Sequence, residues 1–562
     1  MNISNVQLVY ANSADQLLQE AWFIEQWRIL FQRCAYATAC QTPGFVKSWY
    51  EEYREHWTPL IAYVRNSQGE LDGVFFLAYN PQNQNLTHVG DRQAEYHVWL
   101  ALADQEQRFL SAVWSELTQN FVFSKLTFNY LPEVALGERL KQVPNIRHRT
   151  IIRRRKRPLL QIDEQIIQQS FAKKSNKSRF NRLKKLGNLE FRRITDPDEL
   201  EQVFDELIDF YDFRQGAVHN SIPFRRDPHK RNFYRKLFAL VPSQVHLTVS
   251  YLDQKPIAAL WASVSGTWLN LSMIMHSPLL AEHSVGKLHI MQLSRSLIDE
   301  NLEVLDITPG DAPWKDRFAS THDEVMNAFI YRTIWLRLVD DAKHMLKQTV
   351  KRVLLPLGIQ AQDLEQISHM KPTALKRHFS RWVNDSQELR VYRFDRQSIE
   401  NFQRHAHISC NSLSHLLSIA IDSTWQTNNN FLSKALIRLE SDEQVFTMQI
   451  DDRIVGYAWA AWHQTQWPVI ELNQNFNLPP ASVVLHDCSF HSAYANDKLC
   501  LTMISHLLHE IFTDTQIQSV YFFLPIEAQA VIQCLEKMGF QYQGSMYRQV
   551  SFGMEQTGFR HP

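Results

Sequence analysis

Residues 268–320 leave this chain few ways to fold. An alternating apolar run (Leu269, Leu271, Met273, Met275) leads into a loop ending in Ser284-Val285-Gly286-Lys287, and helical spacing begins at once. Ile290, Leu293 and Leu297 make one row and Leu288, Met291 and Ile298 a neighbouring one, which predicts a helix lying on a sheet. A second strand over 304–307 follows the break at Asn301 and ends in Asp306 and the turn Pro309-Gly310-Asp311. The order strand, loop, helix, strand is that of an α/β unit. A helix delivered from a strand end presents unpaired N–H groups and the positive end of its dipole, a seat for a pyrophosphate. Ser284, Val285, Gly286 and Lys287 are therefore the candidate cofactor-binding residues, Gly286 for close backbone approach and Lys287 for a charge-assisted contact. An ordinary strand-to-helix connection reads the same way, and one glycine does not separate the two.

The same stretch resembles the core of the GNAT acyltransferase superfamily. More narrowly, residues 171–334 resemble the acetyltransferase family associated with cellulose and exopolysaccharide synthesis. The matching residues are Lys177-Ser178-Arg179 with Arg182 and Leu183, then Phe213-Arg214-Gln215-Gly216, Gly286-Lys287, and Asp306 with Gly310-Asp311 and Trp314-Lys315. Two positions depart from that family: Trp314 stands where Tyr is usual, and Val285-Gly286 where Pro-Gly is usual. The resemblance implies that the pantetheine arm of coenzyme A lies between two splayed strands with its pyrophosphate on the following helix.

At 562 residues the chain is too long for one core, and 44% apolar with 12% aromatic residues is the composition of folded globular protein, so large disordered regions are not expected. Charges balance at 59 against 59, so no global field favours nucleic acid, and DNA is not an expected partner. Six scattered cysteines lack zinc spacing, so no metal is expected. With no apolar run of transmembrane length, the expected location is cytoplasmic, peripheral membrane contact being the one variant of it.

Three hairpins punctuate the chain. Each is an apolar strand, a polar turn with Asp and a strand of small and apolar residues: around Leu71-Asp72-Gly73, Leu252-Asp253-Gln254-Lys255 and Asp451-Asp452-Arg453. Each precedes further strand, helix and strand. The fold class expected is thus α/β of the α+β GNAT type, with three tandem units, each a mixed, mostly antiparallel twisted sheet flanked by helices. The divisions fall at 1–150 (a degenerate unit without a phosphate seat), 151–345 (the acyltransferase domain), 346–384 (a basic helical linker) and 385–562 (a C-terminal unit lacking the loop glycines). The first two units together resemble the paired domains of the Fem peptidyltransferases.

Basic residues cluster over 147–157, over 173–185 and in the linker. Each reads either as a solvated face or as a seat for phosphate, lipid or RNA. For an acyltransferase, an acceptor amine needs a base and the thioester carbonyl needs N–H donors. Asp306 is the first candidate catalytic residue, with Lys315 and His276. Arg214, Asp311 and Trp314 are the candidate acceptor-binding residues. The function expected is N- or O-acyl transfer from acetyl-CoA or another acyl-CoA to a sugar, polysaccharide or lipid precursor, or a small amine. Two rivals stand beside it: a Fem-like transferase using aminoacyl-tRNA, and a non-catalytic assembly protein with vestigial units. Motifs for serine hydrolase, P-loop, dinucleotide or zinc-protease chemistry are missing.

Overall fold

The computed structural model describes residues 6–310, 312–354, 384–398, 404–405, 407–422, 425, 430–469, 472–494, 497–551 and 554–562. Asp311 and most of the expected linker fall outside them. The chain divides into two compact units, Met1–Tyr211 with Ile222–Val350 and Asp212–Ser221 with Lys351–Pro562.

The first unit holds two sheets. The smaller runs β1 (Gln7–Tyr10), β2 (Thr58–Arg65), β3 (Leu71–Asn80), β4 (Asn85–His88), with β5 (Leu100–Ala101) beside β3. Helix α1 (Pro43–Glu52) starts where the preset φ of Pro43 follows the capping residue Thr42. Helix α2 (Glu106–Asn120) buries Phe109, Val113 and Leu117 on this sheet. The larger sheet is made of β6 (Lys125–Leu131), β7 (Thr150–Gln161), β8 (Leu189–Ile194), β9 (Val245–Leu252), β10 (Lys255–Ser265), β11 (Trp268–His276), β12 (Val304–Asp306) and β13 (Thr321–Tyr331), in the order β6-β13-β7-β12-β11-β10-β9-β8. Met326, Ala328 and Ile330 of β13 share an apolar core with Leu60, Phe75 and Phe128, so one core serves both sheets.

Every pairing in the larger sheet is antiparallel except one. Strands β11 and β12 run parallel, through Trp268↔Val304, Leu269↔Leu305 and Asn270↔Asp306. There the pairing stops. Strand β11 continues to His276, whereas the chain after Asp306 stays with β7, Ile307 N–H donating to Pro158 O at 3.1 Å. The two parallel strands therefore part at Asn270 and Asp306.

The helix Val285–Asp299 packs on this sheet as the spacing predicts. The labels α3 (Lys174–Leu186), α4 (Pro197–His219), α5 (Val285–Asp299), α6 (Pro313–Phe318) and α7 (Ile334–Leu354) complete the helices used below. Ile290, Leu293 and Leu297 join Leu269, Leu271 and Leu305 in one core, and Leu288 and Met291 join a second with Leu183 of α3. Each such side chain contributes about 1.5–3 kcal/mol by leaving water.

The even alternation read along β11 is broken. Leu271 pairs with Ala262 and Met273 with Trp261, leaving Ser272 as a bulge. Beyond it the faces swap, and Ile274, not Met273, packs on the core under α5. Two of the three hairpins turn on two residues at positive φ, Asp253 (48°) with Gln254 (66°), and Asp451 (46°) with Asp452 (60°), the geometry that matches strand twist.

The second unit carries an eight-stranded sheet with, again, one parallel pair. Its strands β14 (Asn384–Asp395), β15 (Ile408–Cys410), β16 (Gln444–Ile450), β17 (Arg453–Val469), β18 (Gln474–Phe490), β19 (Ser519–Pro525), β20 (Gln541–Ser551) and β21 (Met554–Arg560) are ordered β15-β16-β17-β18-β19-β14-β20-β21, with β18 and β19 parallel. Helix α8 (Asp497–Thr513) buries Met503, Ile504, Leu507 and Ile511 on it. Among the described residues no helix is long and apolar enough to cross a membrane.

Candidate active site

Where the parallel strands part, Asp306 is fully buried and has three partners. Thr308 N–H donates to its Oδ1 at 2.7 Å, the Tyr96 hydroxyl donates to its Oδ2, and Arg157 Nη1 lies 3.5 Å from Oδ2. Arg157 in turn grips Asp323 directly across β7 and β13, with Nε 2.7 Å from Oδ1. It also stacks 5.1 Å over Trp268 and 5.6 Å over Tyr96. Burial pushes the Asp306 carboxyl above its ordinary range, with Arg157 and the Tyr96 hydrogen bond opposing it. Burial next to that carboxylate likewise raises the Tyr96 phenol.

The turn after Asp306 is built around Lys315, in α6. Its Nζ donates to Thr308 O at 3.0 Å, Thr308 Oγ1 at 3.2 Å and Pro309 O at 3.2 Å. Thr308 holds φ at +57°, strained for a β-branched residue. A side chain at Gly310 would begin 3.2 Å from Lys315 Nζ. Removed from water, the Lys315 amine falls to about 8, with Asp306 pulling it the other way. Trp314 packs beside the core under α5, and Lys315 Nζ sits 5.8 Å from its ring centre.

The sequence-predicted phosphate seat lies at the start of α5. Ser284 adopts the left-handed conformation (φ 53°, ψ 49°), Val285 and Gly286 are buried, and Lys287 is half-buried. Phe180 and Leu183 of α3, Val285 and Leu288 of α5, and Phe318 of α6 share one apolar cluster. Their sequence neighbours Arg179, Lys287 and Arg317 therefore rim a common patch. Burial, then Arg179, Lys173 and Arg317, lower the Lys287 amine. Arg179 Nε is buried without a hydrogen-bond partner among the described residues. The space freed by Gly286 is taken by His276, whose ring would lie 2.8 Å from an added Cβ. His276 thus belongs to the helix start and not to the Asp306 cluster.

A cleft opens on the sheet face away from α5, lined among others by Tyr36, Thr38, Tyr96, Arg157, Trp268 and Asn270. Tyr36, Thr38 and Tyr96 come from the N-terminal segments, and Asn270 faces Asp306 across the last parallel pair. Sequence reasoning missed Tyr96, Arg157 and Asp323. Arg157 was concealed in the basic run 147–157. Part of that run is engaged within the fold: Arg154 pairs with Glu324 (3.1 Å), Lys156 with Asp316 (3.0 Å), and Arg153 stacks on Phe329 (5.1 Å). The cations of α3 behave differently. Lys174, Lys177, Arg182, Lys184 and Lys185 are exposed, without a carboxylate partner among the described residues. Arg214, in the segment that belongs to the second unit, pairs with Glu440 of that unit at 3.2 Å. Among the described residues no group of three or more His, Cys, Asp or Glu side chains could hold a metal.

The family described as "Acetyltransferase (GNAT) domain" matches residues 170–316, which contain the parallel pair, α5 and the Asp306–Lys315 turn. The chain has a GNAT-superfamily acetyltransferase fold there, in mixed, mostly antiparallel sheets flanked by helices. No curated protein matches. Among solved structures, a conserved protein of unknown function from Bacteroides thetaiotaomicron is 9% identical over 55% of this chain and 97% of its own (TM-score 0.37). FemX is 11% identical over 56% of this chain and 98% of its own (TM-score 0.37). A tandem GNAT protein from the clavulanic acid biosynthesis pathway is 10% identical over 58% of this chain and 99% of its own (TM-score 0.34).

Proposed function

We propose that the first unit is an acyl-CoA-dependent acyltransferase, moving an acetyl or longer acyl group to an amine or hydroxyl of a sugar, polysaccharide precursor, lipid precursor or small amine. The observation that carries this reading is the single parallel pair β11–β12, parting at Asn270 and Asp306 beside a helix start rimmed by Lys287, Arg179 and Arg317. The rim suits a pyrophosphate, with Ser284, Val285 and Gly286 supplying backbone. The thioester would lie along β11, where the Ser272 bulge frees main-chain groups from the ladder to meet a developing oxyanion.

Attack by the acceptor forms the new C–N or C–O bond and breaks C–S, the acceptor's proton leaving and the thiolate taking one up. We assign Lys315 to this transfer, because burial lowers its amine to about 8 and so favours the uncharged form more than in an exposed lysine. Asp306, held by Tyr96 and Thr308, positions the Tyr96 hydroxyl in the cleft. Trp314 follows the same turn and is proposed, with Asp311, to contact the acceptor.

The test is thiol release from acetyl-CoA against a panel of amino sugars and polyamines. Acceptor-dependent turnover that disappears in Lys315→Met, with coenzyme binding retained, supports the proposal. The unpaired cations of α3 favour a second reading, aminoacyl transfer from tRNA. That reading expects steeply salt-dependent tRNA binding and no thiol release from any acyl-CoA.

A further inference from the structure

The cleft beside Asp306 has an inward neighbour. On the same sheet face lies a more enclosed cavity, walled by Phe45, Tyr234 and Trp261 and lined also by Ser263, Ser272 and Glu95. Tyr96 and Asn270 line the cleft where Glu95 and Ser272 line the cavity, so the two follow one another along β11. No Lys, Arg or His lines this cavity, and Glu95 is its one carboxyl group. That carboxyl accepts from the Cys40 thiol at 3.3 Å and from the Ser272 hydroxyl, both neutral donors. Among the described residues it has no ion-pair partner, whereas Arg157 compensates both Asp306 and Asp323. Burial raises the Glu95 carboxyl, with Ser272 and Cys40 opposing the shift and Asp306 adding to it. Burial, and then Glu95, raise the Tyr234 phenol, so that wall stays neutral. The loop is fastened on both sides of Glu95. Gln93 accepts from Trp49 Nε1 at 3.1 Å and donates to Asp227 Oδ2 at 3.2 Å, and Gln41 donates to Tyr96 O at 3.0 Å. The carboxyl is therefore placed before any ligand arrives. A carboxylate without a cation, in a cavity with aromatic walls, suits an ammonium group.

We propose that Glu95 is the counter-ion of the acceptor, a small molecule bearing a primary ammonium group, which makes the transfer an N-acylation. This rests on the acyltransferase reading above. In that reading the thioester carbonyl meets the chain at the Ser272 bulge, and Glu95 holds the Ser272 side chain. An ammonium drawn to Glu95 thus arrives beside the carbon it attacks. On becoming an amide it loses two protons: Lys315 takes one and passes it to water, and the leaving thiolate takes the other. A hydroxyl acceptor brings no charge to Glu95, and an anionic acceptor is repelled by it.

The test compares wild type with Glu95→Gln, which keeps the shape and an acceptor for Ser272 but removes the charge. Thermal unfolding is followed with spermidine, glucosamine or tyramine and no coenzyme. Thiol release from acetyl-CoA is then measured with the same amines and with glucose and glycerol. At least one amine should raise the melting temperature of wild type and not of the variant. The same amine should be acetylated, with KM raised roughly tenfold or more by the substitution and acetyl-CoA affinity unchanged. Equal amine KM in the two proteins, or turnover with the hydroxyl compounds alone, would overturn the proposal and leave the acyltransferase reading standing. Protection by none of the amines would overturn it too. So would a fall in melting temperature in Glu95→Gln without ligand, since the carboxylate would then be satisfied within the fold. Amine binding through Glu95 with no thiol release from acetyl-CoA would uphold the cation site and remove the acyl-transfer reading instead.

Discussion

Replacing Lys315 with Met separates the energetics of its turn from everything around it. The amine titrates at about 8 in the folded protein because burial strips its water, against 10.5 in an exposed lysine. Between those values the unfolded chain holds a proton that the folded chain has released, so stability rises with pH across the window. The contribution is complete above 10.5 and is lost as pH falls toward 8. Integrated, charged Lys315 costs about 3 kcal/mol at pH 7 and about 1.4 kcal/mol at pH 9.5. Residual solvent contact brings the change over that interval from about 2 to about 1–2 kcal/mol. Met loses the three hydrogen bonds to Thr308 and Pro309; the part of that loss that follows the charge on the amine is already contained in its shift, and the remainder does not vary with pH. It cancels when the stability difference between the two proteins is followed across pH. Urea unfolding of both at pH 7, 8, 9 and 9.5 should show wild type gaining about 1–2 kcal/mol on the variant. A difference that stays flat would mean that Lys315 titrates as an ordinary lysine, and the case for it as a proton acceptor would fall with it.

Arg157→Met should destabilise the first unit by about 3–5 kcal/mol, because it strands buried Asp306 without its cation; adding Asp306→Asn should recover part of the loss, both read by urea unfolding. Acid should also weaken the fold through two buried neutral rings. His97 donates from Nε2 to Asp91 O and accepts from Asn129 N–H, and His289 sits between Thr248 and Ser250; burial lowers each to about 3. Their folded values lie below the unfolded 6.5, so the stability they carry is present above that value and lost as pH falls, by about 2 kcal/mol per ring between pH 7 and 5. Substitution of His289 by Gln should flatten that part of the profile measured by thermal unfolding. Gly286→Ala should lower the melting temperature before it touches any coenzyme affinity, since its Cβ meets the His276 ring at 2.8 Å.

Much of the first unit could be read from local spacing. The rows Ile290-Leu293-Leu297 and Leu288-Met291 fixed which helix faces lie on the sheet, and paired turn residues such as Asp253-Gln254 marked a hairpin, because both signals are confined to a few residues. The bulge at Ser272 left no trace, since the apolar pattern through Met273 and Met275 stays regular while the backbone changes face. The centre of the site was hidden for a different reason. Tyr96 meets Asp306 across 210 residues and Arg157 meets Asp323 across 166, and neither stands out from its neighbours. Arg157 sits among cations that look alike in sequence, but among those from Arg153 onward it alone is buried. Asp306 and Lys315 were legible as types in a turn. That Lys315 lies enclosed by Thr308 and Pro309 carbonyls was not, because a carbonyl leaves no mark in the side-chain sequence.

The most direct test of the account is a calorimetric titration of the full chain with acetyl-CoA, run beside Lys287→Glu. This variant reverses a charge on the cationic rim and leaves the packing of Gly286 on His276 intact. The account predicts one site of roughly micromolar affinity, weakened about tenfold or more by the substitution, or about 1.4 kcal/mol. No heat with either protein, or equal affinity in both, would contradict it.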